Sequence, residues 1–297
     1  PQGGNGAPVY AQPVPQPVYY APVQPPKWAD PARLEQKELR RAASRLSFAT
    51  MTSLPIQVLW TTLATLILTV CGVNLMGPNT IGGFPPTAYY LISSIASFLS
   101  IVLPFSFFLF FGKRKLSDTV LVEKNGVLNS VLLVFAGLAV SVLMNIPANL
   151  ISQLLEGAGL NGDANTANLL ALTPVQALTM FVSVVLVAPV TEEFAFRSVT
   201  TAVMRRWGDW PAVIFSALIF GMAHYSIQSL PVVLTAGFVM ALLYVRTRNI
   251  WVNIFVHMLN NLLATLPIAL EGLVGADAAN ITSNLLTYIV YGLGLIA

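Results

Sequence analysis

The 297-residue chain is 56% hydrophobic and 9% charged, with a mean hydropathy of +0.72. Soluble domains are about 25% charged, so an ordinary water-soluble fold is excluded. The net charge of +3 comes from scattered basic residues that form no nucleic-acid-binding patch, and the single cysteine, Cys71, excludes an intrachain disulfide and any CxxC pair.

Residues Pro1–Pro31 are rich in Pro, Gln, Val, Tyr and Gly. Such a segment cannot bury a core and is expected to be disordered or polyproline II, a flexible tail that an SH3- or WW-like partner is able to bind. A short basic helix is expected over Arg33–Arg45, at the cytoplasmic membrane surface; together residues 1–46 make a cytoplasmic tail, and 47–297 a membrane domain. A helix needs about 20 apolar residues to cross the hydrocarbon core. Eight stretches qualify as candidates: Pro55–Gly77, Ala88–Phe111, Val127–Ile151, Val175 to about Arg205, Trp210–His224, Leu230–Val245, Ile250–Leu270 and Ile281–Ala297. The fourth is interrupted by Pro189, and the fifth and sixth are short. The expected fold is therefore an all-α polytopic membrane protein of about eight transmembrane helices enclosing an intramembrane active-site cavity.

Charge placement supports this count. With a cytoplasmic N-terminus and strict alternation, the inside segments are the tail, Gly112–Gly126, the region of Arg205 and Arg206, and Arg246–Asn249. They hold all 15 Lys and Arg except Arg197. The outside segments Pro78–Thr87, Ser152–Pro174, Tyr225–Ser229 and Glu271–Asn280 hold none. Positive residues mark the cytoplasmic side, so both termini are expected there, in a multi-pass protein of the cell membrane.

Ionisable side chains at bilayer depth are costly and usually functional. Here they fall into three patterns. Glu192-Glu193-x-x-x-Arg197 places Glu193 and Arg197 four residues apart, on one helix face, where they can pair. Glu192 lies about 100° around the helix and is free to act. Phe220-x-x-x-His224 and His257-x-x-x-Asn261 repeat the four-residue spacing. Measured from Arg205, Trp210 and Ile250 at ~1.5 Å per residue, Glu192 lies roughly 20 Å deep, His224 roughly 21 Å, His257 roughly 10 Å and Asn261 roughly 16 Å. One polar cluster reachable from the cytoplasmic side accommodates these depths. No HExxH motif or Gly-rich phosphate loop is present.

These three motifs, in this order on membrane helices, resemble the CPBP family of intramembrane proteases, which includes the type 2 CAAX prenyl endopeptidases and the bacterial Abi or lysostaphin-resistance-like proteins. The resemblance covers about 175–270. It implies hydrolysis of a peptide bond in a membrane-associated protein or peptide, with Glu192 as general base assisted by His224, and His257 and Asn261 stabilising the oxyanion. Glu193, Arg197 and Phe220 support the site. The same residues leave a metal open: Glu192, His224 and His257 make a three-ligand zinc set with a free position for water. Metal-free chemistry is preferred, because Asn is a poor zinc ligand and no further base would remain. Two other readings stand beside the enzyme: an inactive scaffold or immunity protein of the same fold, and a proton-coupled transporter. The first, second, third and eighth spans carry no charged residue, which argues against the transporter.

Overall fold

The computed structural model describes residues 30–75, 80–160 and 172–297. Its helices are α1 (Pro31–Met51), α2 (Ser53–Val70), α3 (Pro86–Phe111), α4 (Val127–Gly157), α5 (Pro174–Trp207), α6 (Asp209–Met222), α7 (Leu230–Thr247), α8 (Ile250–Val274) and α9 (Ala276–Ile296). Apart from two isolated bridges, no β-structure occurs among the described residues. The Pro-rich tail expected at the N-terminus lies almost wholly outside them.

Local signals set the helix starts. Asp30 Oδ1 accepts from the Ala32 N–H at 3.0 Å, with Pro31 in the first turn of α1. Thr173 and Gln176 form a capping box ahead of α5, with Pro174 following. Asn249 Oδ1 accepts from Trp251 N at 3.0 Å and caps α8.

Among the described residues, seven helical segments are long and apolar enough to cross a membrane, so the protein is an all-α, multi-pass membrane protein. Its contacts divide it into two units, Pro1–Glu38 and Leu39–Ala297. The division falls inside α1, earlier than the boundary expected after residue 46. The basic helix expected at 33–45 is the beginning of a helical stretch, Pro31–Val70, broken only near Thr52. The fifth expected span is α6, a helix of 14 residues. At ~1.5 Å per residue it is about 21 Å long, short of a hydrocarbon core of about 30 Å. The turn after it is joined to the start of α2: Tyr225 Oη lies 2.5 Å from Ser53 Oγ.

Proline does not interrupt α3 or α5; it widens them. A proline ring clashes with the carbonyl four residues back and offers that carbonyl no N–H. Just ahead of Pro104 the chain is π-helical over Phe98–Val102, and ahead of Pro189 it is π-helical over Phe181–Val187. The extra residue per turn absorbs the mismatch. A third wide stretch, Glu193–Thr201, contains no proline. There the Phe196 carbonyl accepts from Ser216 Oγ at 2.7 Å and Thr201 Oγ1 at 3.1 Å.

Two segments expected on the same side of the membrane meet. Arg248 Nε lies 2.7 Å from Glu123 Oε1. The Ile250 N–H donates to Leu121 O at 3.0 Å, and Tyr244 Oη donates to Thr119 O at 2.7 Å. The connection after α3 is thus strapped to the α7–α8 turn.

The main core wraps α5. Phe196, Val199 and Val203 pack with Leu46 of α1, Phe105 of α3, Phe220 of α6, Met240 of α7 and Val256 of α8. Phe105, Phe196 and Phe220 stack edge-on, with centroids 5.7 and 5.3 Å apart. Helices α6 and α7 approach closely because Gly237 has no side chain: a Cβ there would lie 2.8 Å from Phe220 Cδ1 and 3.4 Å from Ala217 Cα. Gly237→Ala therefore overpacks this contact and is expected to cost about 1–3 kcal/mol. Thermal unfolding of the purified protein in detergent, read by loss of the monodisperse chromatographic peak, checks this.

Candidate active site

A charge with no access to water must find its partners inside the fold. Glu193 and Arg197 are both completely buried. Arg197 Nε lies 3.2 Å from Glu193 Oε2, and its guanidinium carbon sits 4.2 Å above the Phe220 ring centroid. The Nε contact is an ion pair without hydrogen-bond alignment, and none of the guanidinium nitrogens has a hydrogen-bond partner. The cation is held by charge and by the aromatic face. Glu193 has two more partners. Its Oε1 accepts from His257 Nδ1 at 2.9 Å, and its Oε2 from Asn253 Nδ2 at 3.4 Å. Asn253 Nδ2 also donates to the Met240 carbonyl at 2.6 Å, joining α7 to the cluster.

Glu192 stands in a different place. Its Oε2 is buried with no hydrogen-bond partner, and His257 Nε2 is 3.8 Å away, beyond hydrogen-bonding distance. Glu192 lines a cavity of about 130 Å³, roomy enough for several waters. His224 and Tyr225 line the same cavity, and so do Thr50, Ser53, Gln57, Ser97 and Ser100. The wall facing Glu192 is therefore rich in hydroxyls, contributed by α1, α2 and α3.

His224 lies just past the end of α6. Its Nδ1 is 2.9 Å from the Phe220 carbonyl. A carbonyl only accepts, so Nδ1 carries the proton and Nε2 is left as an acceptor. Phe220 links the two histidines: its ring is edge-on to His224 at 4.8 Å and to His257 at 5.9 Å.

The residues singled out in the sequence thus form two adjoining groups. Glu193, Arg197, Phe220 and His257 make a buried ionic cluster. Glu192 and His224 face the cavity, and His257 Nε2 points toward Glu192. His257 and Asn261 are not among the cavity-lining residues. Asn261 Nδ2 donates to the Val184 carbonyl at 2.9 Å, in the widened stretch of α5. Asn253 escaped the sequence reading, although it lies one turn before His257 and extends the same four-residue polar stripe. Among the described residues, no group of three or more His, Cys, Asp and Glu side chains is arranged to hold a metal ion.

Removing one partner of a buried ion pair leaves an uncompensated charge, at a cost of about 3–5 kcal/mol. Arg197→Ala is expected to lose that much stability, and Glu192→Gln little, because Glu192 has no tight partner to lose. Chemical unfolding of the two variants in the same detergent distinguishes them.

A family model described as "Rce1-like: Type II CAAX prenyl endopeptidase Rce1-like" matches residues 174–263, the segment that carries all three motifs. The Bacillus subtilis (strain 168) protein named "Putative membrane peptidase YdiL" is 31% identical over 140 residues, 47% of this chain and 57% of that relative. The match spans little more than half of the relative's length. No solved structure matches the chain. Over the matched segment, which holds Glu192-Glu193-x-x-x-Arg197, Phe220-x-x-x-His224 and His257-x-x-x-Asn261 in order, the chain is similar to this Rce1-like family of type II CAAX prenyl endopeptidases.

Proposed function

We propose that this protein is an intramembrane endopeptidase that cleaves a membrane-associated protein or peptide at the cavity lined by Glu192 and His224. The observation that carries this reading is the contrast between two adjacent carboxylates. Glu193 is enclosed by Arg197, His257 and Asn253, whereas Glu192 has a buried, unpaired oxygen beside a polar cavity. The family match adds chemical precedent, since its description names an endopeptidase and the relative's name a peptidase.

In this mechanism a water in the cavity lies between Glu192 and His224 Nε2. Glu192 takes its proton while the oxygen attacks the scissile carbonyl carbon. The carbonyl oxygen becomes an oxyanion, and preorganised donors stabilise it. Asn261 is the proposed donor, and His257, whose Nδ1–H is held by Glu193, adds an Nε2–H when its ring is protonated. One N–H of the Asn261 amide is engaged by Val184, and the second remains for substrate. Collapse of the tetrahedral intermediate breaks the C–N bond, and the proton on Glu192 passes to the departing amine.

The positive-inside pattern favours a cytoplasmic opening, with both termini on that side. The same pattern favours a cytoplasmic position for the strapped segments 112–126 and 246–249.

The test is turnover of a membrane-spanning reporter peptide by purified protein in lipid nanodiscs. Glu192→Gln is expected to lower turnover by about 10²–10⁴-fold while remaining folded. Turnover equal to wild type would remove Glu192 from the chemistry and sink the proposed site, and no turnover by the wild type itself would point to a scaffold or transporter. Metal content by mass spectrometry on the same samples tests the metal-free preference. One zinc per chain, lost together with activity on chelation, reverses it.

A further inference from the structure

We propose that Tyr225 and Ser53 form a latch that holds the His224-bearing turn in its working position, making Ser53 a positioning residue supplied from outside the family-matched segment. This rests on the peptidase reading above.

His224 sits beyond the last regular turn of α6, which ends at Met222. Its N–H reaches Gly221 O at 3.2 Å, and the Tyr225 N–H reaches Met222 O at 3.3 Å, both short local bonds. Tyr225 then adopts a left-handed backbone, with φ of 51°. A bulky aromatic residue keeps such a conformation only where its surroundings impose it. Among the described residues, every other hydrogen bond of 224–229 goes to a neighbour within four residues; only the Tyr225 hydroxyl reaches across the fold.

That hydroxyl meets a chain with a fixed direction. Ser53 Oγ donates to the Thr50 carbonyl at 2.5 Å. Its only proton is then spent, so Tyr225 Oη donates to Ser53 Oγ at 2.5 Å. The sequence Tyr225 O–H to Ser53 O–H to Thr50 C=O ties the turn to the junction of α1 and α2, where Thr50 and Ser53 are both buried. All three residues line the cavity with Glu192 and His224. The latch therefore sets the distance between His224 on one wall and Glu192 on the other. It touches no reacting atom, and its loss is expected to lower kcat while leaving KM unchanged.

The experiment compares Ser53→Ala, Tyr225→Phe, the double variant, Ser53→Thr and Glu192→Gln, all as full chains in nanodiscs. The probe is a reporter peptide that the wild type cleaves. Each single latch variant is expected to lower kcat about tenfold, one hydrogen bond's worth of positioning. The double variant falls no further, because both changes remove the same bond. Ser53→Thr keeps the hydroxyl and recovers kcat. Hydrogen exchange of amides 224–229, followed by mass spectrometry, reads the turn without turnover and is expected to speed up in both single variants. Wild-type kcat in both single variants, or additive losses in the double, overturns the latch. If Glu192→Gln cleaves like wild type, the Glu192-based reading of the site fails by itself. Exchange then decides the latch: acceleration supports it and unchanged rates overturn it.

Discussion

The structure is organised around one carboxylate that water cannot reach. Glu193 is fully buried in a chain with few charges, and an isolated ion there would cost far more than a single contact returns. Its partners come from its own helix and from α8. Arg197 lies one turn along α5, His257 and Asn253 lie on α8, and Asn253 in turn holds the Met240 carbonyl of α7. Satisfying this one charge therefore fixes how α5, α7 and α8 face one another. The Phe220 ring completes the arrangement by covering the guanidinium and touching both histidines.

With Glu193 neutralised, its neighbour is free for a different task. Adjacent residues on a helix point about 100° apart, so the anchor and the reactive group share a backbone without sharing an environment. The widened turns of α5 add to this effect. They flank Ala188–Glu192, and they leave the carbonyls of Val184 and Phe196 to be engaged by Asn261 and Ser216 from other helices. Hydrogen bonds that an ordinary α-helix keeps within itself here connect the helix to its neighbours, close to the proposed base.

Much of this was legible in the residues. Apolar runs interrupted by basic loops marked the helices, because a bilayer imposes both length and charge placement. The Glu193–Arg197 pair followed from four-residue spacing, and Asn253 was within reach of the same logic, one turn before His257. The cavity wall was not legible. Ser53, Gln57, Ser97 and Ser100 are single small polar residues in apolar helices, and such residues usually bond to their own backbone. Their meeting with Glu192 depends on how α2 and α3 pack, which no local pattern encodes. The fifth stretch was already short in the sequence, but the left-handed turn at Tyr225 that follows it was not legible. The widened turns escaped too, since proline signals a disturbance without specifying whether a helix kinks, ends or adds a residue.

The central claim is that two neighbouring glutamates divide the work, one enclosed and one open to the cavity. Carbodiimide labelling tests it directly. A small apolar carbodiimide is added to the folded protein in nanodiscs, and the adduct is located by peptide mass spectrometry. The account predicts one dominant adduct on Glu192 that accumulates in step with loss of turnover, while Glu193 stays unmodified until the protein unfolds. Labelling of Glu193 at a comparable rate in folded protein, or full labelling of Glu192 with turnover intact, would contradict it.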